Sequence, residues 1–193
     1  MIPASLIRAA EEPSVGLGPV SAPDAVCLVL GSLPGRRSIE AGEYYAHPRN
    51  TFWRIMGELV GARPELPYKS RLERLRAGRI ALWDVLASSV RPGSLDAAIR
   101  AESAEPNDLA ALLAIRPGIV CICFNGQAAA RLFRRYAAND AEGVLSKLRQ
   151  ITLPSTSPAH AAMSFEAKLA RWTVAIRPVL QDGSSSPDTG HLI

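Results

Sequence analysis

The sequence predicts an α/β fold, a single-domain three-layer α/β/α arrangement around a central, mostly parallel sheet of four strands. Three observations lead there. Four strand-like runs, AVCLVLG (25–31), RIALWDVL (79–86), IVCICFN (119–125) and RQITLP (149–154), are separated by stretches of helical periodicity, the alternation that builds parallel sheets. The first three runs are almost wholly apolar rather than alternating, as strands covered on both faces must be. The chain has 193 residues, 48% of them apolar, enough to bury the core of about one domain.

In chain order, residues 1–24 are expected to be an N-terminal extension. Their acids and prolines do not make the basic start and unbroken apolar run of a secretory leader. The domain is expected over 25–180. AVCLVLG is a buried strand ending in glycine, and NTFWRIMGELVG (50–61) is a helix with Phe52, Ile55, Met56 and Leu59 on one face and Asn50 as a fitting N-cap. RLERLRAG (71–78) is a short basic helix stopped by Gly78, followed by the RIALWDVL strand. SVRPGSLDAAIRAESAEPN (89–107) reads mostly as loop, and NDLAALLAIRPG (107–118) as a helix stopped by Pro-Gly before the third strand. GQAAARLFRRYA (126–137) and SFEAKLARWTVAIRPVL (164–180) are helices flanking the fourth strand, and QDGSSSPDTGHLI (181–193) has the composition of a disordered tail.

Composition narrows the function classes. No stretch is long and apolar enough to span a bilayer, so a cytoplasmic protein with no membrane partner is expected. Cys27, Cys121 and Cys123 sit inside apolar strands, where a buried thiol is the ordinary occupant and neither a disulfide framework nor a four-thiolate cluster can form. The net charge of +4 favours an anionic partner. Lysine occurs only at 69, 147 and 168, the other basic residues being arginine, whose planar fork suits phosphate.

In an open parallel sheet ligands bind beyond the carboxyl ends of the strands. The loops there are GSLPGRRS, ASSVRPGS, NGQAAA and PSTSPAHA, rich in Gly, Ser or Asn and able to offer N–H groups and hydroxyls to an anion. The first lacks both the Lys-Ser/Thr ending of a P-loop and the glycine spacing of a dinucleotide site, which disfavours nucleotide cofactors. No metal or cofactor is expected.

Four ordered segments, GSLPG followed by YYAHPRNTFW, LWDVLASSVRPGSLDAAI, FNGQAAARLF and LPSTSPAHA, resemble the uracil-DNA glycosylase superfamily over roughly residues 25–180, and most of all its hypoxanthine-DNA glycosylase branch. The resemblance implies a monomeric, monofunctional DNA glycosylase that flips out a deaminated base and hydrolyses its N-glycosidic bond, with damaged DNA as the partner. It implies that Gly31, Ser32 and Leu33 border the base pocket and that Tyr45 stacks on the flipped base, a core tyrosine being the alternative. The position of Leu33 carries a polar Asn or Asp in most relatives, and Leu153 stands where several have a histidine. Asn50 matches an asparagine the hypoxanthine branch uses in catalysis; helix capping is its other reading, and both can hold together. His47 is expected either to assist the departing base or to be structural, and Asn125 to read a base edge or cap the next helix. Asp84 is expected to anchor the loops through hydrogen bonds. Ser155, Thr156 and Ser157 are expected at DNA phosphates, Ala159 and His160 at the gap left by the flipped nucleotide, and Arg91, with Arg36 and Arg37, on the DNA backbone. Leu33 and Leu153 keep open a catalytically weak damaged-DNA binding module of the same fold.

Overall fold

The computed structural model describes residues 12–137 and 143–182. In chain order its elements are β1 (Ser14–Val15), β2 (Cys27–Gly31), α1 (Arg36–Ala41), α2 (Phe52–Val60), α3 (Tyr68–Ala77), β3 (Ile80–Asp84), β4 (Leu86–Ser89), β5 (Glu105–Pro106), α4 (Leu109–Ile115), β6 (Cys121–Asn125), α5 (Gln127–Ala137), α6 (Val144–Lys147), β7 (Arg149–Leu153) and α7 (Phe165–Asp182). The strands β3, β2, β6 and β7 lie side by side in that order, every neighbouring pair parallel. The expected four-stranded parallel sheet is therefore present.

Why these runs become central strands is visible in their packing. Along β2, Cys27 and Val29 join one core cluster while Leu28 and Leu30 join another, because successive side chains point to opposite faces. The first cluster is closed by Phe52, Ile55 and Met56 of α2 and by Trp172 and Ile176 of α7. The second is closed by Leu112 and Leu113 of α4 and by Ala130 and Phe133 of α5. Both faces being covered, the strands carry no polar alternation. The three thiols lie free and buried on the first face, with the Cys27 and Cys123 sulfurs 3.8 Å apart, the contact of packed side chains.

Register decides where the strands end together. Gly31 pairs with Asp84, and Asn125 with Leu153, so these residues mark the carboxyl edge of the sheet. The chain leaves β2 toward β3 on one side, while β6 adds on the other, which puts the switch point of the topology beside Gly31 and Asn125.

Three features differ from expectation. The RIALWDVL run, read as one strand over 79–86, ends at Asp84, and its Leu86 begins a separate strand, β4, which pairs antiparallel with both β1 and β5 in a second small sheet. Those strands are two to four residues long, too short for any periodicity. Residues 12–24, expected as an extension, run along the fold, since Val20 is buried and exchanges backbone bonds of 2.9 and 2.8 Å with Leu82. The GSLPGRRS loop opens into α1, a six-residue helix stopped by Gly42 in the left-handed region (φ 64°). Residues 1–11 of the expected extension, and the expected tail beyond Asp182, lie outside the described residues. No described helix is long and apolar enough to cross a membrane.

Candidate active site

A cavity of about 260 Å³ opens at the carboxyl edge of the parallel sheet, of a size for a small ligand. Gly31, Ser32 and Leu33 form one wall, Tyr45, His47 and Asn50 another, and Asn125 with Ser155, Thr156 and Ser157 a third. Ala159 stands on its rim. Residues far apart in sequence thus meet because β2, β3, β6 and β7 end level and each passes into a loop.

The Tyr45–Asn50 segment is held tightly. Tyr45 has φ 55°, an uncommon conformation for a side-chain-bearing residue, and its ring stacks on Phe52 at 4.1 Å between centroids. Its hydroxyl is buried without a hydrogen-bond partner, and burial pushes its pKa up. Tyr44, by contrast, is buried and donates to the Leu17 carbonyl at 3.0 Å, a structural position. His47 Nδ1 accepts the Arg49 N–H at 3.1 Å, which in the neutral ring leaves the proton on Nε2. Asn50 Oδ1 accepts the Phe52 N–H at 2.9 Å. Thr51 is the N-cap of α2 but makes no side-chain cap bond, so Asn50 secures the helix start from one residue further out. That bond orients the amide: oxygen toward the helix, with the Nδ2 donors left for the cavity it lines.

Asn125 turns its amide to the last loop, not to the helix after it. Its Nδ2 donates to Thr156 Oγ1 at 2.8 Å, and its Oδ1 accepts the Thr156 N–H at 2.9 Å; the helix-capping alternative is thereby replaced. Thr156 is fully buried and its carbonyl accepts the Thr51 N–H at 3.1 Å. Expected at a DNA phosphate, its hydroxyl is instead spent inside the protein on Asn125, while its carbonyl reaches Thr51, so that Thr156 joins the end of β6, the start of α2 and the last loop. Gly126, at φ 102°, lets these come close, since a Cβ there would lie 2.9 Å from that of Ser155. Ser155 and Ser157 stay partly exposed, and His160, exposed, lies beyond the cavity lining.

Arg91 was expected on the DNA backbone, and the structure corrects this. The residue is buried, donating from Nη1 to the Leu33 carbonyl at 3.0 Å and from Nη2 to the Pro34 carbonyl. Those carbonyls fall in a turn with no strand or helix to bond them, and a guanidinium fork satisfies both. Ser32 Oγ adds a 2.5 Å bond to Asp96, and the Arg36 N–H one of 3.2 Å to Ser94 Oγ. The loop after β4 is in this way fastened beneath the loop after β2. Arg36 and Arg37 remain exposed at the rim. Leu33 is buried, its side chain in the second core cluster, so nothing polar replaces the missing group from that position.

Asp84 fills its expected role as an anchor with its backbone alone. Its backbone carbonyl accepts Asn107 Nδ2 at 2.9 Å, while its side chain lines the cavity with Oδ2 buried and unpartnered. Asp96 and the 61% exposed Leu95 complete the lining from a stretch read as loop. The sequence does carry a signal for Asp84, the one charged residue in the apolar IALWDVL run. Nothing comparable marks Leu95 or Asp96.

A parallel sheet with a small cavity at its carboxyl edge, ringed by the loops that follow the strands, is where an open α/β protein binds its ligand. Residues 19–181 match the Uracil DNA glycosylase superfamily. The chain is 42% identical over 153 residues to the hypoxanthine DNA glycosylase of Methanosarcina acetivorans, covering 78% of this chain and 89% of that protein. It is 39% identical over 113 residues to that of Methanosarcina barkeri, covering 58% and 70%. A solution NMR structure of a Methanosarcina acetivorans protein assigned as a uracil DNA glycosylase superposes with a TM-score of 0.71 at 30% identity, over 87% of this chain and 99% of that one. The chain belongs to the uracil DNA glycosylase superfamily, and by that membership it is a DNA N-glycosylase.

Proposed function

We propose that the protein is a monofunctional glycosylase that draws a deaminated base, hypoxanthine foremost and uracil as a second candidate, out of DNA and hydrolyses its N-glycosidic bond, leaving an abasic site. The observation that carries this is the convergence of Tyr45, His47 and Asn50 on one cavity with Gly31 and Ser155. The name of the Methanosarcina relatives supports hypoxanthine. A base entering the cavity stacks on the Tyr45 ring, which Phe52 holds in place. Asn50 Nδ2 donates to the attacking water or to a base carbonyl, and His47 Nε2–H supplies a second donor at the same opening. Ser155 and Ser157 hold DNA phosphates at the rim, and Ala159 with Leu95 borders the gap the nucleotide leaves. The catalytic unit is residues 25–180, acting as a monomer in the cytoplasm.

Water rather than an amine is the nucleophile. Lysine is absent from the cavity lining. Lys168, the lysine nearest the last motif, is buried and donates from Nζ to the His160 carbonyl at 2.8 Å, which ties the rim loop to α7. An attacking amine must be free and within reach of the sugar.

The burial of Leu33 favours one competing reading, a damaged-DNA binding module without catalysis. Incubating the protein with a duplex containing one hypoxanthine, then treating it with alkali, separates the two. Strand scission after alkali supports excision, whereas retention in a gel shift without scission supports the binding module.

A further inference from the structure

The floor of the cavity holds two polar groups that the protein leaves unanswered. Asp84 is 3% exposed and its Oδ2 has no hydrogen-bond partner; neither has the buried hydroxyl of Tyr45. Buried polar atoms are nearly always paired, so an orphaned pair lining one cavity points to a ligand that completes it. The fold makes room for them. Gly31 is the register partner of Asp84, and a Cβ on it would overlap Asp84 Oδ1 and stand 3.1 Å from the Tyr45 hydroxyl. The carboxyl therefore lies across the glycine that ends β2.

Position separates Asp84 from the groups at the mouth. Asn50, His47 and Ser157 are partly exposed, as groups near the sugar and the attacking water must be. Asp84, lining the same cavity, is buried. Structural work does not account for it, since the loops are fastened through its backbone carbonyl and through Arg91.

We propose that Asp84 is the catalytic acid of this pocket, donating its proton to a ring nitrogen or carbonyl oxygen of the base as that base departs. The inference rests on the glycosylase reading above. As the bond between C1′ and the base breaks, its electron pair goes to the base, and the carboxyl proton neutralises the charge that develops there. Asp84 is left as a carboxylate. Water adds to the electron-poor C1′, and the proton it sheds restores the acid through solvent. The products are an abasic site and the free neutral base.

The surroundings keep the acid protonated. Burial, aided by the charge of Asp96 on the loop after β4, raises the Asp84 pKa from 3.8 to about 8; Arg91 on the same loop and Tyr44 on the 42–50 loop oppose the shift. The Tyr44 hydroxyl itself donates to Leu17. The ends of β2 and β6 bring only Gly31, Ser32 and Asn125, none of them charged. From the Tyr45–Asn50 segment, Tyr45 and His47 are the titratable groups that line the cavity with Asp84, and Arg36 and Arg37 are charged groups at its rim, so the experiment must isolate Asp84 from them.

Single-turnover release of the base is measured from pH 6 to 10 for the wild type, Asp84→Asn and Asp84→Ala, on whichever deaminated-base duplex the wild type cleaves. The wild-type rate should fall about tenfold per pH unit above roughly pH 8. Asp84→Asn, the same shape without a transferable proton, should be slower at pH 7 by at least about a hundredfold and should lose that alkaline limb, with Asp84→Ala slower still. Affinity for a duplex carrying an abasic-site analogue, which has no base to touch the floor, should match the wild type in the folded variants. An Asp84→Asn protein with the wild-type rate and pH profile overturns the acid role while leaving the glycosylase reading standing. A wild-type rate that climbs with pH and collapses in Asp84→Asn also overturns it, because the carboxylate is then the active form. A wild type that releases no base from any deaminated duplex removes the glycosylase reading and this inference with it.

Discussion

Replacing Asn50 with alanine removes two things that can be measured apart. The first is the Oδ1 bond to the Phe52 N–H at 2.9 Å, which secures a helix whose own N-cap makes no side-chain bond. Losing a bond of this kind costs about 1 kcal/mol of stability, or roughly 2–4 °C in Tm for a domain of this size. The second is the Nδ2 donor facing the cavity. Its loss should slow single-turnover excision at least about tenfold, equal to about 1.4 kcal/mol in the barrier. Asn50→Asp separates the two. A carboxylate keeps the acceptor for Phe52 and suits a helix N-terminus, so Tm should return to the wild-type value. It has no donor to give, so excision should stay as slow as in Asn50→Ala. Thermal melts and gel-resolved base release on the same preparations provide the readout. Wild-type excision by folded Asn50→Ala would confine the residue to securing the helix. Wild-type excision by Asn50→Asp would refute the donor assignment, since an acceptor would then suffice.

Arg91→Ala should strand the carbonyls of Leu33 and Pro34, at about 1–3 kcal/mol for each buried unmet group, and lower Tm by roughly 5–15 °C; unchanged stability with a reduced salt dependence of DNA binding would return Arg91 to the phosphates. For Asp84 the folded chain holds, between pH 3.8 and about 8, a proton that the unfolded chain releases, so the group lowers stability progressively as pH rises through that window. Asp84→Asn should therefore raise Tm by several degrees at pH 8 and by little near pH 4, and a Tm difference independent of pH would contradict the raised pKa. Borohydride should trap no covalent adduct on lesion DNA, because the Lys168 Nζ is engaged with His160; an adduct lost in Lys168→Ala would replace water as the nucleophile.

Much of this was legible from residues alone, for reasons that also explain what was not. The parallel strands could be read because burial on both faces removes polar positions from CLVL and CICF. Tyr45, His47 and Asn50 could be placed together because a contiguous motif travels as a unit. Arg91 could not be read, since a buried and an exposed arginine look alike in sequence, and only the unmet carbonyls of Leu33 and Pro34 decide between them. Thr156 is similar: its hydroxyl was available to DNA until the fold brought Asn125 to within 2.8 Å. The strand pairs β1 with β4 and β4 with β5 join residues distant in sequence through two pairings each, which leave no local pattern.

The central claim is that this cavity releases a deaminated base by hydrolysis, and base release from a panel of oligonucleotides tests it most directly. Single- and double-stranded substrates carrying hypoxanthine, uracil, xanthine or mismatched thymine are incubated with the wild type, and free base and strand scission are followed with and without alkali. Free hypoxanthine, with scission only after alkali, is the predicted result, and uracil release would extend the substrate class. Tight binding to these duplexes with no free base from any of them would contradict the claim and leave a damage-binding protein in its place.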